Sequence, residues 1–401
     1  MGRFHGRRSR ETVSYEPASV KELLVEMKDT AELLIDLSYS AVLHASPSVA
    51  REVVELEHRM DVLQMRARMS LMLAARNPNE AETLAPVLGV VAAADKVSGA
   101  AGDIAKIVIE EIGLPEAMRG ALTEGVETLV RGTVADESTY SGRTLRDVDL
   151  ESETGVRVIA IHRGDDWILN PGPTTRLKRG DVTLLRGPEG GVAEVHPTLT
   201  GEPFELDDAP EPAIDDLERA VDSIVLMKNL SELAVDLAYG SVLFDNEELA
   251  EEVSNLEIEV DALQSRFEAW TLRAAKEAED PVSLRGLIHL GVATEEISDA
   301  ALQITEGVIR DIGVHPVVEM AVKESDEIIT RTRVGRGSEL AGTRIEAGVP
   351  ATEIATSVLA IRRPDEGWLV GPDLDTTIRA GDAIISKGTR TSAAEFAALA
   401  T

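Results

Sequence analysis

The chain has no cysteine, only nine lysines, and just five Phe, four Tyr and three Trp in 401 residues. Without cysteine there is no disulfide frame, no thiolate zinc site and no cysteine nucleophile. Long apolar runs are missing too. The longest, such as Ala85–Ala94, fall well short of the ~20 residues of a membrane span, so no direct membrane insertion is expected. Met1–Pro17 carries Arg3, Arg7, Arg8 and Arg10 but lacks the apolar core of a signal peptide. It reads as a short basic disordered arm, either a solvated tail or a tether to an acidic partner.

Positive charge is scarce as well: 40 Lys and Arg stand against 72 Asp and Glu, a formal net charge of −32. Such a surface repels nucleic acid and anionic lipid, so nucleic acid is excluded as the default partner. Acidic, Lys-poor composition suits a halophilic cytoplasm, where salt screens the self-repulsion. The chain is expected to be soluble and cytoplasmic, peripheral at the membrane only through a partner.

What the sequence does have is an internal repeat. A shift of 200 residues aligns Met27, Lys28, Glu32, Leu33, Asp36, Leu37 and Tyr39 with Met227, Lys228, Glu232, Leu233, Asp236, Leu237 and Tyr239. Glu57 and Asp61 fall on Glu257 and Asp261, and Gly180-Asp181 falls on Gly381-Asp382 at a shift of 201. Shared helical character alone does not keep register over so many positions; the chain is a duplication. The joint is an acidic, Pro- and Gly-containing stretch at 198–216.

Within each unit the apolar period changes once. From about Val20 to Leu129 it is three and four, with breaks at Ser46-Pro47-Ser48 and Asn77-Pro78-Asn79. This predicts three long antiparallel helices and a shorter fourth leading to Gly132; unit two breaks near Asp245-Asn246 and Asp280-Pro281. The pattern then turns β-like, with strands at 156–161, 167–169 and 182–185, and at 358–362, 368–370 and 383–386. Small helices are expected at Gly142–Asp149 and Gly342–Ala347.

The β-rich segments, "SGRTLRDVDL…GVRVIAIHRGDDWILNPGPTTRLKRGDVTLLRG" and "AGTRIEA…SVLAIRRPDEGWLVGPDLDTTIRAGDAIISKG", resemble the TrkA-C (RCK C-terminal) module of potassium-uptake regulators. The helical segments resemble PhoU, whose acidic E/D-x-x-x-D motifs read here as "EHRMD" (57–61), "EIEVD" (257–261) and "EEISD" (295–299). The expected fold is α+β multidomain: two copies of an antiparallel three-helix PhoU-like bundle followed by a small α/β TrkA-C module. The boundaries are an arm at 1–17, bundles at 18–130 and 217–328, modules at 131–197 and 329–401, and the linker at 198–216. A Rossmann half is missing: Gly335-Arg336-Gly337 lacks the third glycine and a βαβ setting, so no NAD is expected.

Carboxylates four apart share one helix face and can chelate a cation together. The candidate metal ligands are Glu57, Asp61, Glu257, Asp261, Glu295 and Asp299, for a divalent or transition metal in the bundles. Glu32/Asp36 and Glu232/Asp236 repeat the spacing. The competing reading is solvated surface charge or pairing with Arg. Unit one departs from the motif, with Gly99 where an acid belongs and Asp103 as a substitute. The histidines recur at no equivalent position and form no catalytic string, so no enzyme is expected; a metal-dependent hydrolase stays as a third class.

The resemblance to TrkA-C implies paired modules that bind a small effector, cyclic di-AMP or another nucleotide, in the groove between them. Arg163 and Arg363 would face its phosphates, and Trp167 and Trp368 would stack or pack nearby. By that resemblance the chain is a regulator of cation, notably potassium, transport. Its partner would be a membrane transporter or channel, and a homodimer is compatible. The alternative is a PhoU-like negative regulator of phosphate uptake and signalling.

Overall fold

The structure, a computed structural model, describes residues 19–122, 127–164, 166–204, 214–310, 312, 315–346, 348–352, 354, 356–364, 366–371 and 375–401. The basic arm and the centre of the linker, including Pro210, lie outside the described residues.

Helices begin where the sequence supplies caps. Unit one opens with α1 (Val20–Leu43), α2 (Pro47–Ala74) and α3 (Pro78–Ile109). Ser46 and Asn77 accept from the backbone N–H of Val49 and Glu80, each followed by Pro at the first helical position, where the missing N–H costs nothing. The short α4 (Glu116–Ala121) leads to β1 (Thr128–Thr133), α5 (Leu145–Val148), α6 (Leu150–Thr154), β2 (Arg157–Arg163), β3 (Asp166–Leu169), β4 (Val182–Gly187) and α7 (Glu189–Thr200). Unit two repeats the plan with α8 (Asp215–Phe244), α9 (Glu247–Glu277), a 3₁₀ turn at Pro281–Leu284, α10 (Arg285–Ile309) and α11 (Pro316–Glu324). It continues with β5 (Ile328–Arg333), β6 (Arg344–Glu346), β7 (Val349–Pro350), β8 (Ser357–Arg363), β9 (Gly367–Val370), β10 (Thr376–Thr377), β11 (Ala383–Gly388) and α12 (Arg390–Leu399).

The two four-stranded sheets have the same antiparallel order, β1-β4-β2-β3 and β5-β11-β8-β9. The fold is α+β and multidomain. Three features differ from the sequence expectation. First, the helical pattern stops before Leu129, which belongs to β1, and Gly132 lies in that strand opposite Thr183; the Thr- and Val-bearing run TLVRGT favours a strand once β4 is there to pair with. Second, the helix expected at Gly342–Ala347 is a strand. β-branched Ile345 is wholly buried and pairs with Thr376 and Pro350, and Gly348, at φ 76°, takes the left-handed turn into β7. Third, α3 is long and apolar enough by length and composition to cross a membrane. Within this fold it is a core helix packed against α1, α2 and α10.

The helices α1–α3 and α8–α10 form two bundles fused through α3 and α10. The approach is close: a Cβ on Gly307 would stand 2.7 Å from the Pro86 ring. One apolar core therefore runs through both bundles, from Leu34, Met60 and Ile104 to Leu237, Phe267 and Leu287. It extends into the bundle-facing sides of the sheets at Ile159 and Leu184, and at Leu359 and Ile385. Each module keeps a separate core on its outer side, around Val156, Leu185 and Val195 and around Val358, Ile384 and Phe396.

Candidate functional site

The feature that unites the two units is a buried ionic interface between helices and modules. On α1, Lys28, Glu32 and Asp36 stand one turn apart on one face; on α8, Lys228, Glu232 and Asp236 do the same. Lys28 pairs with Glu32 at 2.8 Å and Lys228 with Glu232 at 2.7 Å. Each lysine also lies over a tyrosine of the other helix, Lys28 at 5.3 Å from the Tyr239 ring centre and Lys228 at 5.2 Å from that of Tyr39. Such crossed cation–π contacts, with both ammonium groups almost fully buried, lock α1 and α8 face to face.

The modules supply the remaining cations, from one position. Arg186 is the penultimate residue of β4 and Lys387 that of β11. Arg186 reaches Asp36 at 2.9 Å, Glu127 at 3.0 Å and Glu327 at 2.7 Å. Lys387 reaches Asp236 at 2.9 Å, Glu32 at 3.5 Å and Glu327 at 3.9 Å. Arg157 on β2 adds a third arm to Glu327 at 3.1 Å and to Asp326 at 3.3 Å. Glu327 is thus clamped by both modules.

Asp36 and Glu127 share the Arg186 guanidinium with Glu327, which also draws on Arg157 and Lys387. Burial pushes the Asp36 carboxyl up to about 7, against the pull of Arg186, with Glu127, Glu232 and Glu327 adding repulsion. Burial likewise pushes Asp236 up to about 6, against Lys387. Burial also disfavours ionised Glu327, yet Arg186, Lys387 and Arg157 together outweigh it and hold that carboxyl well below the usual range. Glu327 is the fixed anion of the interface; Asp36 and then Asp236 are the members that take up a proton first as pH falls.

The sequence marked Glu32/Asp36 and Glu232/Asp236 for their metal-like spacing. In the structure protein cations fill that role. The recurrence of Lys28 and Lys228 in the same register was the available signal. For Arg186 and Lys387 the signal was the basic residue before glycine, Arg186-Gly187 and Lys387-Gly388, that recurs at the shift of 201, but nothing in that recurrence names the acids it meets.

The expected metal ligands lie elsewhere. Glu57 and Asp61 are on α2, Glu257 and Asp261 on α9, and Glu295 and Asp299 on α10. Lys106 approaches Glu57 at 4.0 Å and Asp103 at 2.6 Å. Glycine at position 102 is what admits the Glu57 carboxylate, whose nearest oxygen is 2.3 Å from where a Cβ would stand. In unit two, burial and then the Asp261 and Asp299 charges raise the Glu257 carboxyl; burial, Asp299 and Asp261 raise that of Glu295. Lys96, from the other unit, pairs with Asp299. Among the described residues no three His, Asp or Glu side chains converge closely enough to hold one metal ion.

Arg163 and Arg363 are engaged inside their own modules. Arg163 donates to Asp181 at 2.8 and 2.6 Å and to the Arg176 carbonyl at 2.7 Å. Arg363, 5% exposed, donates to Asp382 at 3.3 Å, to Glu366 at 3.3 Å and to the Thr377 carbonyl at 2.6 Å. The recurring Gly-Asp therefore works as a turn anchor: Asp181 and Asp382 also accept from the backbone N–H of Lys178 and Arg379, both at 2.8 Å. In this arrangement the two arginines brace strand to turn, and a phosphate would have to compete with those carboxylates. Trp167 and Trp368 are half-buried against the shared core. Trp167 lies 4.8 Å from the His162 ring, and Arg362 sits 5.9 Å from that of Trp368.

With this geometry in hand, the comparisons with known proteins identify the parts. The PhoU domain family matches residues 24–108 and 224–308, and the TrkA-C domain family matches residues 129–200. The chain carries two PhoU domains and a TrkA-C domain. The second module, with the same strand order, occupies the equivalent place after the second PhoU domain. No curated protein matches the sequence. Among solved structures, the GsuK RCK domain is 14% identical over 71% of this chain and 69% of that one, with a TM-score of 0.16. The GsuK channel is 14% identical over 71% of this chain and 57% of that one, and the NAD-bound GsuK channel 13% over 70% and 57%, both with TM-scores of 0.18. Scores this low describe no common overall arrangement.

Proposed function

We propose that this chain is a cytoplasmic, non-enzymatic regulator of a membrane cation transporter, with potassium as the cation. In this reading the α/β modules sense a small effector, and the joined PhoU domains carry the response to the transporter. The observation that carries it is the placement of Arg186 and Lys387. Equivalent strand ends of both modules insert into equivalent acidic faces of both bundles, so a shift of either module changes charge balance inside the helical core. A buried polar interface of this kind can convert a local displacement into a rearrangement of packed helices. The TrkA-C match supports the cation reading, because this module resembles that of potassium-uptake regulators.

The PhoU domains, which form most of the helical body, favour a second reading, control of phosphate uptake. Affinity capture from solubilised native membranes separates the two. A potassium or other cation transporter retained by the wild-type chain supports the proposal; a phosphate transporter retained instead supports the second reading.

A further inference from the structure

The large apolar side chains left exposed are not scattered. Among the described residues they lie on α2, α3, α9 and α10 and the segments flanking α10, with Met320 of α11 apart; α1, α8 and both modules carry none. The modules rest on α1 and α8, so the exposure is on the helices that the modules leave open.

Three of these side chains recur at the shift of 200: Met72 with Leu272, Leu88 with Ile288 and Ile109 with Ile309. Burial does not explain the recurrence, since Met72 is 68% and Leu272 65% exposed. Other exposed positions nearby have diverged, with Leu73 against Arg273, Glu82 against Val282 and Met65 against Ser265. A lone exposed Leu or Met is ordinary on a protein surface, whereas a repeated set marks a contact surface.

Packing gathers the six into two equivalent clusters. Glu57 lies against Gly102, and Gln64 bonds to Asp95, a register that brings Met72 to the turn of Leu88. Gly307 packs on the Pro86 ring, which places Ile309 at the same end. Phe267 lies against Gly291 and Gly286 against Ile107, which gathers Leu272, Ile288 and Ile109 at the other end. At about 1.5 Å per residue along α3, the two clusters stand about 30 Å apart.

Charge narrows the occupant. Helices α2, α3, α9 and α10 carry 21 Asp and Glu against 10 Lys and Arg. Such a face repels an anionic lipid surface, and it repels a second copy of a chain whose net charge is −32. Cytoplasmic loops of membrane proteins carry an excess of Lys and Arg, the complement of this face.

We infer that this face docks on the membrane transporter, each cluster taking one copy of the same apolar, Lys- or Arg-flanked cytoplasmic segment from a two-fold-symmetric partner. The inference rests on the transporter reading above and adds to it the surface and the symmetry of the contact.

The test is photo-crosslinking of the full chain in cells, with a photoreactive side chain in place of Met72, of Leu272 or, as the control, of Met320. The expected result is the same cation-transporter polypeptide captured at positions 72 and 272 and not at 320. Leu88→Gln with Ile288→Gln should reduce both captures at least about tenfold, since each substitution removes an apolar contact. Where that pair lowers Tm, Ile109→Gln with Ile309→Gln serves instead. The transporter captured only at 320, or captured undiminished at 72 and 272 in the Gln variants, overturns the inference and leaves the transporter reading standing. Different polypeptides at 72 and 272, or lipid or a second copy of this chain at both, also overturn it. No membrane protein captured at any of the three positions contradicts the transporter reading itself, and the inference with it.

Discussion

Arg186 donates from its guanidinium to Asp36 at 2.9 Å, across 150 residues of chain and from a β-strand into a helical bundle. The contact ties the last central strand of the first module to the first helix of its own PhoU domain, and through Glu327 to the second unit.

Removing this cation leaves buried acids unbalanced. Arg186→Met should therefore destabilise the chain by about 3–5 kcal/mol, measured by denaturant unfolding at high salt. Arg186→Lys, which copies Lys387, should lose less, because a point charge remains but the forked contact to Glu327 goes. Equal loss for Met and Lys would mean that shape, not charge, decides the site.

The Asp36 carboxyl, pushed up to about 7 by burial against an ordinary value of 3.8, gives a pH signature. The folded state holds this proton more tightly than the unfolded state. Its contribution is therefore fully present below about pH 4 and is lost as pH rises through about 7. Asp36→Asn keeps the neutral shape without the proton. The difference in Tm between variant and wild type should grow in the variant's favour from pH 5 to pH 8. Comparing the pair removes the opposing effect of buried His44, which burial depresses to about 4. A flat difference would show that Asp36 is ionised throughout.

Arg163 and Arg363, taken from sequence as phosphate ligands, hold Asp181 and Asp382 in their modules. Arg163→Ala should cost stability of about 1–3 kcal/mol, the scale of a charge-assisted hydrogen bond. Cyclic di-AMP calorimetry then separates the roles. A turn anchor predicts that Arg163→Ala lowers Tm while any cyclic di-AMP affinity changes little; a phosphate ligand predicts a 10- to 100-fold loss of affinity.

The shared core changes what a linker cut should do. Proteolysis near Pro210 should leave two fragments that co-elute in size-exclusion chromatography, because α3 and α10 pack into one apolar core. Two separately eluting, folded fragments would contradict the fused-bundle arrangement.

The fold was legible where periodicity and duplication speak. The Pro- and Asn-marked breaks fall at the starts of α2, α3 and α9, and the recurring Gly-Asp falls at the turn before β4 and before β11. Strands β1 (TLVRGT) and β5 (IITRTR) were hidden because short, Thr- and Arg-bearing runs directly after a helix carry no clear alternation until their partner strand is known. The candidate site was half legible. Glu32, Asp36, Glu232 and Asp236 stood out by spacing, but their partners Arg186, Lys387 and Glu327 come from other elements, and only tertiary contact joins them. A spacing rule reports which groups share a face, not what faces them.

The central claim is tested most directly by ion uptake in cells that carry the chain, lack it, or carry Arg186→Gln with Lys387→Gln. Rubidium uptake, standing in for potassium, and phosphate uptake are followed in parallel. The account predicts that loss of the chain changes rubidium uptake and leaves phosphate uptake unaltered, and that the double variant reproduces the loss while remaining folded. A change in phosphate uptake with rubidium uptake unaffected would contradict it.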